Sequence, residues 1–163
     1  YLLNQNSLKI ALITTPEHVN VGTLRRQGYE RALSEKGISV NKKLIIEVEE
    51  KENIKAQIER VFDQDIDAVF AVNEIYAATA MRIAKEKGYK VPQEFSVIGF
   101  TDGLISEYSS PSITTIAQHG LEMGKQAVEV LIERIEKEAE LYEQKKIVIS
   151  SNLKLKESTK PES

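Results

Sequence analysis

The chain has 163 residues, of which 41% are hydrophobic and 29% are charged, a composition that excludes a disordered protein. Its 22 basic and 25 acidic residues give a net charge of −3, so it lacks the basic surface typical of nucleic-acid binding. With no cysteine and two distant histidines, it is not expected to form disulfides, use thiol catalysis or bind a metal. No apolar run approaches the roughly 18 residues of a membrane span.

Short apolar runs alternate with amphipathic segments along the chain. In chain order, the pattern predicts a strand at Leu8–Thr15, a helix at Gly22–Lys36, a strand at Lys43–Val48, a helix at Lys51–Phe62, a strand at Asp67–Val72, a helix at Ile75–Lys87, strands at Phe95–Phe100 and Ser112–Ile116, and a helix at Leu121–Glu138.

Both ends of the chain carry weaker signals. The first residues lack a methionine and are typical of the end of a helix, which indicates a piece of a longer protein. Lys146–Ile149 and Asn152–Leu155 are predicted to form a terminal hairpin or two edge strands. The polar residues 159–163 are expected to be a disordered tail.

The alternation of strands with helices indicates the fold class. Such spacing is typical of right-handed βαβ crossovers, which produce a parallel sheet covered by helices on both faces. We therefore predict a three-layer α/β fold. Ligands of open α/β sheets bind beyond the carboxyl ends of the strands.

Polar residues follow three of the predicted strands and form a candidate binding edge. Thr14 and His18 come after the first strand, Asn73 after the third, and Thr101 and Asp102 after the fourth. Hydroxyl, amide and carboxylate groups suit a ligand rich in hydroxyls. The alternative is that these residues are solvated strand ends and helix caps.

Charged side chains near this edge have two interpretations each. Either Arg25 or Arg26 can hold vicinal hydroxyls or a carboxylate in a bidentate fashion, and the other is then a surface charge. Acidic residues elsewhere are interpreted as turn, cap and helix-start residues rather than cation ligands; these are Asp63, Asp65 and Asp67, and Glu47, Glu49, Glu50 and Glu52.

Motifs of catalysis and nucleotide binding are absent. The chain has no G-x-G-x-x-G after the first strand, no phosphate-binding P-loop and no G-x-S-x-G turn. We therefore expect no catalytic residue, no cofactor and no metal, and the chain is not predicted to be an enzyme.

Four segments together resemble the LacI/GalR transcription regulators. They are RRQGYERALSEKG, DAVFAVNE, AKEKGYKVPQEFSVIGFTD and PSITTIAQHGLEMGKQAVEVLIERI, and their order matches the family almost from Leu8 to Ser158. The closing LKLKES resembles the family's terminal L-x-x-R-x-S, with Lys156 in the position of the arginine. The match covers the second half of the family's effector-binding core.

The resemblance implies a lobe of the type I periplasmic-binding-protein fold with strand order 2-1-3-4-5. It implies that residues 1–117 form the C-terminal effector-binding lobe, and that residues 118–158 are a crossover helix and strands belonging with the other lobe. Gln118 matches the glutamine at the crossover. In the family, operator DNA is bound by an N-terminal helix-turn-helix domain, which this chain lacks.

The resemblance also implies site residues. Arg25 matches the effector-binding arginine of the family's R-x-x-G motif, and Asn73 matches its polar asparagine. Two positions depart from the family: Glu74 stands where aspartate is usual, and Thr101 replaces the acid that binds effector, with Asp102 next to it. Thr101 cannot supply that charge. The negative charge is therefore missing at this position unless Asp102 turns inward.

A cytoplasmic, sugar-responsive regulator is the function that these features favour. Its effector would be a sugar or sugar phosphate, and the protein would act as a homodimer without contacting a membrane. The dimer would form through an apolar patch that comprises Ile75, Leu104, Ile105 and Tyr108. The alternative is that these side chains fold back onto the core. A periplasmic sugar-binding protein of an ABC-type transporter is the alternative.

The predicted last helix has an apolar stripe that needs a partner. The stripe comprises Leu121, Gly124, Val128, Leu131, Ile132 and Ile135. In the family this helix packs on the other lobe. In this chain alone we expect it to fold back on its own sheet or, preferably, to pair with a second chain.

Overall fold

The computed structural model describes residues 1–49, 53–136 and 145–161. Short 3-10 turns occur at Leu3–Gln5, Lys42–Leu44 and Arg60–Asp63. The strands and helices in chain order are β1 (Ile10–Thr14), α1 (Asn20–Glu35), β2 (Ile45–Glu47), α2 (Ile54–Glu59), β3 (Ala68–Ala71), α3 (Glu74–Glu86), β4 (Ser96–Phe100), α4 (Leu104–Tyr108), β5 (Thr114–Ala117), α5 (Gly120–Glu136) and β6 (Asn152–Lys154).

A single six-stranded sheet organises the chain, in the order β2-β1-β3-β4-β5-β6. The first five strands are parallel, which confirms the predicted α/β class and the order 2-1-3-4-5. The sixth strand is antiparallel to β5 and extends the sheet at one edge.

Helices cover both faces of the sheet. The side of Gly99 on which a side chain would stand faces α3, because a Cβ at this position of β4 would lie 2.9 Å from the Cβ of Ala77. The neighbouring Phe100 points to the opposite face, where the Arg25 side chain of α1 lies over its ring. Since α2 packs against α3, the three layers are α1, the sheet, and the pair α2 and α3.

The core lies on the central strands, which are buried on both faces. Leu12, Ile13, Val69 and Val97 have no exposed surface, as expected for the continuous apolar runs of a parallel sheet. Helix α3 adds a second buried row, since its Ala77, Ala80, Ile83 and Ala84 are fully covered.

Helix ends follow local sequence signals. The side chain of Asn73 accepts a hydrogen bond of 2.8 Å from the backbone N–H of Tyr76 and so caps α3. The same helix ends before Gly88, whose φ of +88° lies in the left-handed region that glycine adopts without strain.

Three sequence expectations need correction. Residues Leu104–Tyr108, expected to be a loop, form the short helix α4, and Lys146–Ile149 is not a strand. Helix α2 begins at Ile54, and the first residues of its predicted range, Lys51 and Glu52, lie outside the described residues. The predicted end of the last helix, residues 137–138, also lies outside them, as does Glu50.

The C-terminal segment packs on this sheet. Ser158 Oγ donates to the carbonyl of Val97 at 2.5 Å and accepts from the N–H of Thr114 at 2.8 Å. Thr159 is buried and lies 2.8 Å from the Thr114 hydroxyl, so the expected disordered tail does not begin at residue 159. Strand β6 and the residues from β6 to Ser158 also join this sheet. The assignment to another lobe of the residues between 118 and β6 stays a prediction.

Helix α5 lies apart from the sheet, and none of its residues is buried. The side chains of Leu121 and Ile135 are 92% and 73% exposed, so this helix does not fold back on its own sheet. Pairing of its apolar stripe with a second chain stays a prediction. No helix in the described part of the chain is long and apolar enough to cross a membrane.

Candidate functional site

The carboxyl ends of β1, β3 and β4 meet at one edge of the sheet. The register pairs Ile13 with Ala71 and Ala71 with Gly99, so the segments that follow these residues emerge side by side. Asn73 and Asp102 therefore lie at the same end of the sheet, as the sequence predicted. This carboxyl edge is the candidate site.

Arg25 connects the ends of two strands at this edge. Its Nη1 donates a hydrogen bond of 2.6 Å to the carbonyl of Val72, directly after β3. Its guanidinium carbon lies 3.6 Å from the ring centroid of Phe100, the last residue of β4. Burial lowers the pKa of Arg25, and no carboxylate of the described residues lies within ion-pair distance. The result is a half-buried cation with one face covered and unused N–H donors.

Thr101 occupies an unusual backbone conformation. Its φ of +80° lies in a region that β-branched residues rarely adopt, so its backbone is strained. Its hydroxyl donates to Oε1 of Gln118 at 3.2 Å, and its N–H donates to the carbonyl of Ile116 at 3.0 Å. Thr101 thus connects the end of β4 to the residue where the chain leaves the sheet.

Asp102 lies on the α3 side of the sheet, away from Arg25. Its carboxylate is paired with Lys154 and with Lys156, the latter at 3.0 Å, and it accepts from the Thr115 hydroxyl at 3.1 Å. The hydrogen bond from Lys154, with those from Lys156 and Thr115, lowers the pKa of Asp102 to about 2 despite the opposing effect of burial. Lys156 also pairs with Glu107 of α4 at 2.8 Å. The inward turn of Asp102 considered from the sequence would have to break these contacts.

Two further predicted residues have structural partners. Asn73 uses its side-chain oxygen to cap α3. Glu74 accepts from the N–H and the hydroxyl of Ser106 at 2.7 and 2.9 Å, and so joins α3 to α4. The extra methylene of glutamate relative to aspartate lets this carboxylate reach α4.

The loop after β1 contributes less than the sequence suggested. The hydroxyl of Thr14 is buried and has no hydrogen-bond partner among the described residues; it lies close to Gly22 in the first turn of α1. His18 is exposed.

The two neighbouring arginines of α1 differ in their partners. Arg26 pairs with Glu17, Glu30 and Glu47, so it is the surface charge and Arg25 faces the site. In the described part of the chain, no group of acidic residues and histidines could hold a metal ion.

A cavity of about 750 Å³ runs from this edge along the α1 face of the sheet. Its walls are mostly apolar, and Arg25 is the only charged residue among the residues that line it. Gln118 lines it as well, whereas Asn73, Thr101, Asp102, Thr14 and His18 do not. Phe100 was not among the predicted site residues, although the alternation of Ile98 and Phe100 on β4 puts both on one face.

The predicted dimer patch is exposed on α3 and α4, which pack against each other. Its four side chains do not fold back onto the core: the exposed fractions are 53% for Ile75, 73% for Leu104, 45% for Ile105 and 82% for Tyr108.

Relatives of the chain are transcriptional regulators. It is 28% identical over 160 residues to the HTH-type transcriptional regulator CelR of Thermobifida fusca, covering 96% of this chain and 46% of that protein. It is 33% identical over 160 residues to the ribose operon repressor of Haemophilus influenzae, covering 96% and 48%. The chain therefore spans about half the length of these relatives.

Solved structures agree with this similarity. The structure of a CelR–cellobiose complex matches with a TM-score of 0.87 and 28% identity, covering 96% of this chain and 48% of that one. A LacI-family regulator from Chloroflexus aggregans matches with a TM-score of 0.87 and 27% identity, covering 98% and 58%. The profile of the periplasmic binding protein-like domain matches residues 1–159. The chain belongs to the family of periplasmic binding protein-like domains that LacI-type regulators contain, and it covers about half of the length of those regulators.

Proposed function

We propose that the chain is a fragment of the effector-sensing core of a LacI/GalR-type transcriptional regulator. The observation that carries the proposal is Arg25, a half-buried guanidinium with no carboxylate partner among the described residues, held at the carboxyl edge by the Val72 carbonyl and the Phe100 ring. Its remaining N–H donors are available to a ligand. The regulators among its relatives and structural neighbours favour regulation over transport.

The effector in this proposal is a small molecule, a sugar or sugar phosphate. Arg25 and Thr101 contact it from this lobe, with Asn73, Thr14 and His18 nearby at the same edge. Asp102 is better suited to position the Thr101 segment, because its carboxylate is already used by Lys154 and Lys156.

The remaining partners belong to the longer protein. A DNA-binding domain outside this chain binds the operator, and the patch of Ile75, Leu104, Ile105 and Tyr108 joins two copies. The chain performs no catalysis in this proposal, and the regulator works in the cytoplasm.

Operator binding by the full-length protein tests the proposal. Fluorescence anisotropy with DNA from the protein's own promoter would be measured with ribose, cellobiose, glucose and glucose 6-phosphate. We expect at least one of these compounds to change the affinity for DNA. A full-length protein that binds a sugar but does not bind this DNA would instead support the alternative, a sugar-binding protein of a transporter.

A further inference from the structure

The polar groups at the Arg25 end of the cavity are hydrogen-bond donors. The Arg25 guanidinium uses one N–H for the Val72 carbonyl and keeps its other donors. The side-chain oxygen of Gln118 accepts from Thr101, which leaves its amide N–H groups without a partner among the described residues. A ligand here therefore meets donors on this lobe.

Carboxylates near this edge are engaged elsewhere. Asp102 is paired with Lys154 and Lys156 on the other side of the sheet, and Glu74 is bound to Ser106. Among the described residues that line the cavity, Arg25 is the only one with a charged side chain, so this wall carries one positive charge and no negative one.

Donors without acceptors discriminate between ligands. A neutral sugar hydroxyl both donates and accepts, and its proton finds no carboxylate on this wall. A carboxylate or phosphate only accepts, and the planar guanidinium fork binds either in a bidentate fashion. An anion would also compensate the half-buried charge of Arg25, which otherwise has no counterion among the described residues.

We propose that the effector carries an anionic group, a carboxylate or a phosphate, that binds between Arg25 and Gln118. This inference rests on the proposed function and specifies its ligand class. Thr101 contributes to this preference, because its hydroxyl donates to Oε1 of Gln118, and an acid in its place would put a negative charge beside Gln118.

Matched sugar sets test the proposal in the full-length protein. Isothermal titration calorimetry would compare glucose, glucuronate and glucose 6-phosphate, then galactose and galacturonate, then ribose and ribose 5-phosphate. We expect one charged member to bind at least about tenfold more tightly than its neutral counterpart, as one charge-assisted hydrogen bond implies. Comparison of the affinities for the carboxylate and phosphate members shows which of these two anionic groups the site binds.

Two pairs of variants locate the effect. Arg25→Gln should weaken binding of the charged member by roughly 10- to 100-fold, while Arg31→Gln, an exposed arginine on the same helix, should leave it unchanged. Thr101→Asp should weaken it relative to Thr101→Asn, which has the same shape without the charge. Both residues tolerate positive φ, so neither variant should impair folding.

The outcomes separate this inference from the proposed function. If a neutral sugar binds as tightly as its charged counterparts and alters operator affinity, the function stands and the anionic preference is wrong. Equal affinities of Thr101→Asp and Thr101→Asn for the charged member would also contradict the inference. If no member of the sets binds, the sugar-effector function and the inference fail together.

Discussion

At the scale of single residues, Asp102 makes the stability of the chain depend on pH. Its folded pKa of about 2 lies below the ordinary value of 3.8, so its ion pairs stabilise the fold above about pH 4 and are lost as the pH falls toward 2. Asp102→Asn should therefore lower the free energy of unfolding by roughly 1–2 kcal/mol at pH 6, with little difference from wild type near pH 2.

Urea unfolding of the chain between pH 2 and pH 6 measures this dependence. Asp65→Asn is the matched control, because Asp65 is 91% exposed and pairs only with the exposed Lys9 among the described residues. A constant difference between wild type and Asp102→Asn over the whole range would contradict the assigned ion pairs.

Asp102 was predictable from the sequence as a polar residue at a strand end, but the side of the sheet that it faces was not. That side depends on Thr115 of β5 and on Lys154 of β6, which pair in register. Lys154 lies 52 residues further along the chain, and no local pattern connects it to Asp102. Arg25 was identifiable because its spacing matches a motif, whereas its stacking on Phe100 depends on how α1 is rotated over the sheet.

At the scale of elements, Gly99 sets how closely α3 approaches β4. A Cβ at position 99 would lie 2.9 Å from the Cβ of Ala77, and both belong to rigid, fully packed elements. Gly99→Ala should lower the free energy of unfolding by about 1–3 kcal/mol through overpacking. Gly28→Ala, on α1 with nothing within 4 Å of the added methyl, should instead stabilise the chain by about 1 kcal/mol.

Thermal and chemical unfolding of the two variants measures the difference. If Gly99→Ala were as stable as wild type, the close packing of α3 on β4 would be wrong.

Strand and helix positions were predictable because β1, β3 and β4 are continuous apolar runs separated by amphipathic helices, whereas the strand order rested on the resemblance to the LacI/GalR regulators. Helix α4 was not, since five residues are too few for a periodic pattern to appear. Its stability depends on a distant contact, the hydrogen bonds from Ser106 to Glu74. The opposite error occurred at Lys146–Ile149, where the apolar pattern predicted a strand but the segment pairs with no strand of the described residues.

At the scale of the whole molecule, the exposed patch on α3 and α4 predicts self-association. Replacing Ile105 and Tyr108 by aspartate should convert a dimeric full-length protein to a monomer, because charges would be buried in an apolar interface. Sedimentation velocity measures the mass. Val40→Asp, an exposed apolar residue in the loop after α1, is the control and should remain dimeric. A double variant that sediments like a dimeric wild type would exclude this patch as the interface.

Helix α5 carries a second exposed apolar surface, in addition to the patch on α3 and α4. Its apolar side chains are exposed along its length, and the chain spans about half of its curated relatives. The apolar stripe of α5 was predictable from its own residues, and the surface that covers this stripe stays a prediction.

Calorimetric titration of the full-length protein tests most directly whether the carboxyl edge binds the effector. The ligand would be the tightest-binding member of the sugar sets, and the proteins would be wild type, Arg25→Gln and Arg31→Gln. The account predicts at least roughly tenfold weaker binding for Arg25→Gln and wild-type affinity for Arg31→Gln. Equal affinities for all three proteins would contradict it.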